Sequence, residues 1–298
     1  MRTTKRFTRQ VLERFERTGR GTGTSNDYLP WHQVGRGDPA SSGRSHWHIW
    51  KGRQLHLLSD VERVGVFFFR MLPTLSELLE QYLLSFDVAS HPLIPYGVGD
   101  PTQRYSGTER IAHQLGIRHP RLKGKDGTTS WKMTSDLVGI DTTNLKAPRI
   151  VVASIKHTDE LSKRAIQLLY IEKVFWETRG ATWLLVTPSL YDAQVKKNLE
   201  QSVCWTNENA SVHERLVAIN LTYQNTHLPC HKLILLIARH LGSVDLAQRS
   251  LWQAIWSGQL PVDLARPIRP GLQLKLISAE AFRQLNPVAC CRSAWTWN

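Results

Sequence analysis

Cysteine is scarce in this chain: there are four among 298 residues, and two of them, Cys290 and Cys291, are adjacent. So few, so placed, build no disulfide framework, and a reducing compartment is the expected setting. No stretch approaches the roughly 18 apolar residues that a bilayer crossing needs, and the basic N-terminus is followed by no apolar run. The expectation is a soluble, cytoplasmic protein with no membrane partner. A phosphate-cradling Gly-x-x-x-x-Gly-Lys-Ser/Thr is also missing, so ATP chemistry would belong to another chain, and Gly19-x-Gly21-x-Gly23 lacks the preceding strand of a dinucleotide loop. Acidic residues are the remaining shortage. Asp and Glu number 25 against 38 Lys and Arg, and within Met1 to Gln54 they number 4 against 11, an excess of +7. Clustered positive charge gains affinity for nucleic acid by displacing counterions from phosphates, so a polyanionic partner is one reading and a solvated basic surface the other.

What is present reads as two domains, 1–190 and 191–298. Phe7, Val11, Leu12 and Phe15 recur at helical spacing while Arg6, Arg9, Arg14 and Arg17 take other faces, giving a short basic amphipathic helix that the glycines from Gly19 stop. From Asn26 to Arg53 basic and aromatic residues interleave among Gly, Ser and Pro, and Arg44, His46, Lys51 and Arg53 are candidate DNA contacts. Leu57, Leu58, Val61, Val64 and Phe68 form a helical stripe, with Ser59 as a possible cap, and a second helix is expected over Ser76–Leu84. Trp131–Ile140 and Arg149–Lys156 read as a β-hairpin, Asp159–Arg179 as a long helix, and Thr182–Thr187 as a buried strand. This order fits an α/β fold with a mixed sheet flanked by helices. Beyond Pro188, helices are expected over Ala193–Val203, Val212–Leu221, Lys232–Leu241 and Leu246–Trp256. Strand-like pieces follow at Leu260–Leu264 and Leu272–Ile277, a mainly helical, winged-helix-like region.

Three residues stand out chemically. Glu62 lies in an apolar helix, where a carboxylate is costly unless solvated, paired or metal-bound. Asp136 interrupts an otherwise apolar and hydroxyl-bearing strand, and Lys156 ends the strand expected to pair with it, two residues after Ser154. An acid in one strand, then an acid or amide, any residue and Lys in the next, is the loose pattern of restriction-type nucleases. On its own it is also met by solvent-facing hairpin residues and an exposed helix face. Asp126 and Asp141 are nearby acids, but turns favour Asp without any site. His227, Cys230, His231 and His240 match no standard zinc spacing.

Several short motifs occur in one order: Gly19-Arg20-Gly21, Asp27-Tyr28-Leu29-Pro30-Trp31, Ser41-Ser42-Gly43-Arg44-Ser45-His46, His56 to Glu62 and Glu80-Gln81-Tyr82. They are followed by His119-Pro120, Thr134-Ser135-Asp136, Ile155-Lys156, Phe175-Trp176 and Leu185-Val186-Thr187. The succession resembles TnsA-type endonuclease subunits of Tn7-like transposons over about residues 7 to 205, with a fainter likeness beyond. That resemblance implies a restriction-endonuclease-like domain in the bacterial cytosol that cuts the 5′ ends of a transposon. It would act beside a DDE-type transposase, TnsB, and an AAA+ regulator, TnsC. It also implies that Glu62 and Asp136 hold Mg²⁺, two ions with Mn²⁺ as a substitute, that the backbone carbonyl of Ile155 is a further ligand, and that Lys156 is the catalytic lysine. Ser154 departs from the family pattern, which commonly has a carboxylate or Gln there, and a hydroxyl is the weaker Mg²⁺ ligand. A non-catalytic DNA-binding or adaptor subunit that retains the fold is the alternative, and a free-standing restriction or repair nuclease the remote one.

Overall fold

The computed structural model describes residues 6–41, 44–124, 127–141 and 148–297. Ser42 and Gly43 of the third motif, Asp126, and the expected hairpin turn across 142–147 fall outside them. The chain divides into two compact units, the first made of 1–65, 74–187 and 293–298 and the second of 66–73 and 188–292. A single cut near residue 190 therefore does not separate them.

The first unit holds a four-stranded mixed sheet in the order β3-β6-β7-β8, formed by Leu75–Leu83 (β3), Thr134–Asp141 (β6), Arg149–Ile155 (β7) and Thr182–Val186 (β8). β6 runs antiparallel to both β3 and β7, and β8 lies parallel to β7. Helix α4 (Lys163–Glu177) makes the crossover between β7 and β8, with Ser162 accepting from the Ala165 N–H as its cap. It buries Leu169, Ile171, Phe175 and Trp176 in one core with Val138, Ile140, Ile150 and Val152. Each such side chain taken fully out of water stabilises the fold by roughly 1.5–3 kcal/mol. Smaller elements surround the sheet: helix α1 (Arg9–Arg17), the hairpin of β1 (His46–Trp50) and β2 (Arg53–Leu57), helix α3 (Thr108–Gln114), and the hairpin of β4 (Arg121–Gly124) and β5 (Gly127–Ser130).

Helix α2 (Asp60–Arg70) opens in the first unit and continues into the second. Its approach to the sheet is fixed by Gly65, where a Cβ would lie 2.0 Å from Ile155 Cδ1 and 3.1 Å from Leu137 Cδ1. An added side chain there would force the end of Ile155 to move, so glycine favours this close approach of the helix to the strands. The stretch 293–297 returns to the first unit. Ala294 N–H donates to Leu185 O at 2.9 Å, Leu185 N–H donates to Ser293 Oγ at 2.9 Å, and Trp295 packs on Tyr170 and Trp183. The edge of β8 is thus covered by hydrogen-bonding partners, which answers the liability of an open strand edge.

Ser76–Leu84 is a strand and not a helix. Leu75, Leu78, Leu79, Tyr82 and Leu83 repeat at helical spacing, but pairing with β6 overrides the local preference. Glu80, which gives the run its polar look, is fully buried against Arg53.

In the second unit α6 (Val212–Gln224), α7 (Cys230–Leu241) and α8 (Val244–Trp256) follow α5 (Ala193–Ser202), and α9 (Ala279–Gln284) follows them. Phe67, Phe68 and Phe69 are fully buried within this unit, Phe67 edge-on to Trp256 with centroids 5.7 Å apart. The expected C-terminal strands form a bridge, Val262 to Leu276, but no ladder among the described residues. Two backbone bonds flank that bridge, from Asp263 N–H to Lys275 O at 2.8 Å and from Ile277 N–H to Pro261 O at 3.0 Å, and Pro261 has no N–H to add another.

Candidate active site

Asp136 lies near the start of β6 and Lys156 immediately follows β7. Asp136 Oδ2 accepts from the Ile155 N–H at 2.7 Å and from Lys156 Nζ at 2.9 Å. Lys156 Nζ also donates to Ile155 O at 3.1 Å, so the carbonyl expected to ligate a cation faces the same space as the ammonium. The Lys156 N–H donates to Val186 O, which extends the β7–β8 pairing by one residue and fixes where the side chain leaves the sheet. Both side chains keep some exposure, 31% for Lys156 and 17% for Asp136.

Glu62 arrives from the first turn of α2. Ser59 Oγ accepts from the Glu62 N–H, while the Glu62 carboxylate accepts from Leu58 N–H at 2.8 Å and Ser59 Oγ at 3.1 Å. This reciprocal arrangement is a helix-capping device that also pins the carboxylate. Burial, and then the neighbouring Asp136 charge, push the Glu62 carboxyl up to about 7. Asp136 and Lys156 are thus in direct contact, and Glu62 stands within electrostatic reach of both.

Two further residues belong to the cluster. Glu172 of α4 is buried, and its carboxyl is raised to about 7 by burial and then by Asp136. Ser154 Oγ donates to Glu172 Oε2 at 2.6 Å, so the hydroxyl expected as a weak ligand instead holds a carboxylate supplied by the helix. Glu172 follows Leu169 by three residues and precedes Trp176 by four, and this place on the apolar stripe was the signal in the sequence. Gln81, in the middle of the Glu80-Gln81-Tyr82 motif, donates from Nε2 to Glu62 Oε2 at 3.2 Å. Its φ of 46° is left-handed, and the pairing of Glu80 with Leu137 and Tyr82 with Ser135 puts this kink opposite Asp136. Backbone strain of this kind, costing about 1–3 kcal/mol, concentrates where function over-determines local structure.

Partial desolvation lowers the Lys156 ammonium, but Asp136, then Glu172 and Glu62, hold it above its usual range. Three carboxyls thus act electrostatically on one ammonium, and a hard divalent cation would offset their combined negative charge. Among the described residues no three His, Cys, Asp or Glu side chains close on a single point. An ion here would rest on Glu62, Asp136 and the Ile155 carbonyl, the rest of its shell being water. Those all-oxygen donors fit Mg²⁺, which retains waters readily.

The candidate DNA contacts separate. Arg53 is buried and corrected out of that set: its guanidinium donates to Glu80 Oε1 at 3.0 Å, Glu80 Oε2 at 2.7 Å and Leu78 O at 2.6 Å, joining β2 to β3 and leaving no face for a phosphate. Lys51 donates to Leu75 O at 3.0 Å and Ser76 O at 2.9 Å. His46 Nε2 lies 2.6 Å from Asp60 Oδ1. Arg44 is exposed. In the second unit Cys230 is buried, its thiol pushed up to about 11 by burial, and His231 Nδ1 lies 2.7 Å from Pro270 O.

No family model matches the chain. Against the transposon Tn7 transposition protein TnsA of Escherichia coli, 27% of residues are identical over 196 aligned positions. The chain is similar to TnsA. The match covers 65% of this chain and 62% of the length of TnsA, less than two thirds of that relative. No helix among the described residues is long and apolar enough to cross a membrane.

Proposed function

We propose that the chain is a Mg²⁺-dependent DNA endonuclease, the subunit of a heteromeric transposase that cleaves the 5′ ends of a transposon. The observation that supports this reading is the Asp136–Lys156 ion pair at the end of the sheet, with Glu62 and Glu172 within electrostatic reach of it. Hydrolysis of a phosphodiester needs a nucleophilic water and relief of the charge that develops on phosphate, and bound Mg²⁺ supplies both. The chain's own groups do the rest. Asp136, fixed by the Ile155 N–H, and Glu62, fixed by its helix cap, present oxygens in set directions. Lys156 Nζ, held by Asp136, stabilises the phosphate oxygens or orients the attacking water. Glu172, held by Ser154, supplies the carboxylate that the position before Ile155 lacks.

The proposed partners are those the resemblance implies: transposon-end DNA, a DDE-type transposase of the TnsB kind and an AAA+ regulator of the TnsC kind. The second unit is the proposed docking region for the regulator. The competing reading, a non-catalytic DNA-binding adaptor, draws on the capping role of Glu62, which suffices to explain a buried carboxylate. The test combines purified chain, the DDE transposase and a transposon-end duplex with Mg²⁺. Cleavage of the 5′ strand should be lost in Glu62→Ala and Asp136→Ala while DNA binding persists. Undiminished cleavage in both variants would rule out this site.

A further inference from the structure

The β4–β5 hairpin leads into β6 at the end of the sheet where Asp136 and Lys156 stand. Arg121 pairs with Ser130 and Lys123 with Thr128, and the Trp131 N–H donates to Pro120 O at 2.9 Å, carrying the pairing one step towards β6. Residues directly opposite share a face, so Arg121, Lys123, Thr128 and Ser130 belong to one side of this ribbon. Leu122 takes the other side and packs against the core of Leu12, Phe15 and Trp31, which leaves Arg121 and Lys123 exposed. Ser130 precedes Asp136 by six residues. At about 3.4 Å per extended residue, the base of the hairpin lies within about 20 Å of that aspartate.

The charge here has one sign and is not offset. From Arg104 to Lys123 five Lys and Arg stand against one acid, Glu109. Arg118, Arg121 and Lys123 are exposed, as is Arg164 in the first turn of α4. The ion pairs nearest in sequence, Lys132 with Glu16 and Lys156 with Asp136, include none of these four, and among the described residues none of the four is ion-paired to a carboxylate. Burial, and with it the Arg164 and Arg121 charges, lowers the His119 imidazole below its usual range, so the start of α4 and the start of β4 are both within electrostatic reach of that ring. A groove of about 880 Å³ is lined by Tyr82, next to the Gln81 that donates to Glu62, and also by Thr129, Ser130 and Lys132. Gathered cations repel one another, and a polyanion turns that repulsion into affinity by shedding its counterions.

Resting on the nuclease reading, we infer that the outer face of the β4–β5 hairpin grips backbone phosphates of the DNA flanking the scissile bond. Arg121 and Lys123 supply charge, and Thr128 and Ser130 supply hydroxyl donors. Contacts of this kind fix the position of a duplex without reading its sequence. A reach of about 20 Å corresponds to about six nucleotides of one strand at about 3.4 Å per step, so the hairpin holds the duplex a few nucleotides from the cut.

The test uses the full chain and a fluorescent transposon-end duplex in EDTA, so that binding is read without cleavage, at salt from about 50 to 200 mM. Each phosphate contact adds about 0.9 to the slope of log affinity against log salt, so Arg121→Ala combined with Lys123→Ala should lose about 1.8 of that slope. The binding deficit of this double variant should accordingly shrink by about 10-fold between the lower salt and the higher, and it should be the same on an unrelated duplex. Arg121→Lys combined with Lys123→Arg keeps both charges and should keep the slope. Melting temperature and association with the DDE transposase should stay at wild-type values in both double variants. A wild-type slope in the alanine variant, a deficit confined to the transposon-end sequence, no measurable duplex binding by the wild-type chain, or transposase association lost with the slope intact would each overturn the proposal, the last marking a protein-docking face. The hairpin and the cluster can fail independently. An unaltered slope in the alanine variant beside cleavage lost in Glu62→Ala sinks only the hairpin, whereas a reduced slope beside undiminished cleavage in Glu62→Ala and Asp136→Ala sinks only the cluster.

Discussion

Glu172 is held at the cluster in a state that depends on pH. Its carboxyl titrates near 7 in the folded chain against an ordinary 4.5. A raised carboxyl pKa means that the folded state binds the proton more tightly than the unfolded one. Its stabilising effect is fully present below about 4.5 and is lost as pH rises through about 7. Metal-free Glu172→Gln is therefore expected to melt higher than the wild type at pH 8 and to lose that advantage at pH 5. Thermal melts in EDTA at the two pH values check this, and equal differences at both would refute it. Adding Mg²⁺ at pH 8 should stabilise the wild type more than the variant. At this scale Glu62, Asp136 and Lys156 were legible because each is a charged residue in an apolar or alternating run. Glu172 was hidden, since a Glu among Lys173 and Glu177 on a long helix reads as a solvated face until the stripe is traced through Leu169 and Trp176.

The sheet, the α4 crossover and the strand after it follow from hydrophobic periodicity and turn residues. β3 does not, because Leu, Glu and Gln at i, i+3 and i+4 spacing carry the same pattern as an amphipathic helix and only the partner strand decides. Gln81 was equally unreadable, as its role depends on a positive φ that no composition announces. The packing of α2 rests on Gly65. Replacement by Ala gains up to about 1 kcal/mol of helix propensity, yet its methyl must displace Ile155 Cδ1 in a filled interior, which costs about 1–3 kcal/mol. Gly65→Ala should lower the denaturant midpoint modestly. Because Glu62 lies three residues earlier on the same helix, cleavage should fall by a larger factor than stability accounts for. Urea titration and single-turnover cleavage of the same preparation measure both; a variant as stable and as active as the wild type would dismiss the role given to this contact.

The division of the whole chain was the least legible feature. A change of composition near Pro188 marks one crossing between units, but Val66–Pro73 and 293–297 reach into units far from their sequence neighbours. No local pattern encodes such exchanges, since they depend on contacts made across long separations. Deleting residues 293–298 is expected to expose the edge of β8 and the flank of Trp183, lowering the melting temperature of the first unit and promoting self-association. Differential scanning calorimetry with light scattering tests this, and an unaltered thermogram would show the segment to be dispensable.

The stretch that covers β8 also bears on synthesis. Leu185 meets its partners Ser293 and Ala294 only after more than a hundred further residues have been polymerised, so the first unit cannot acquire its finished form while the ribosome is still making the second.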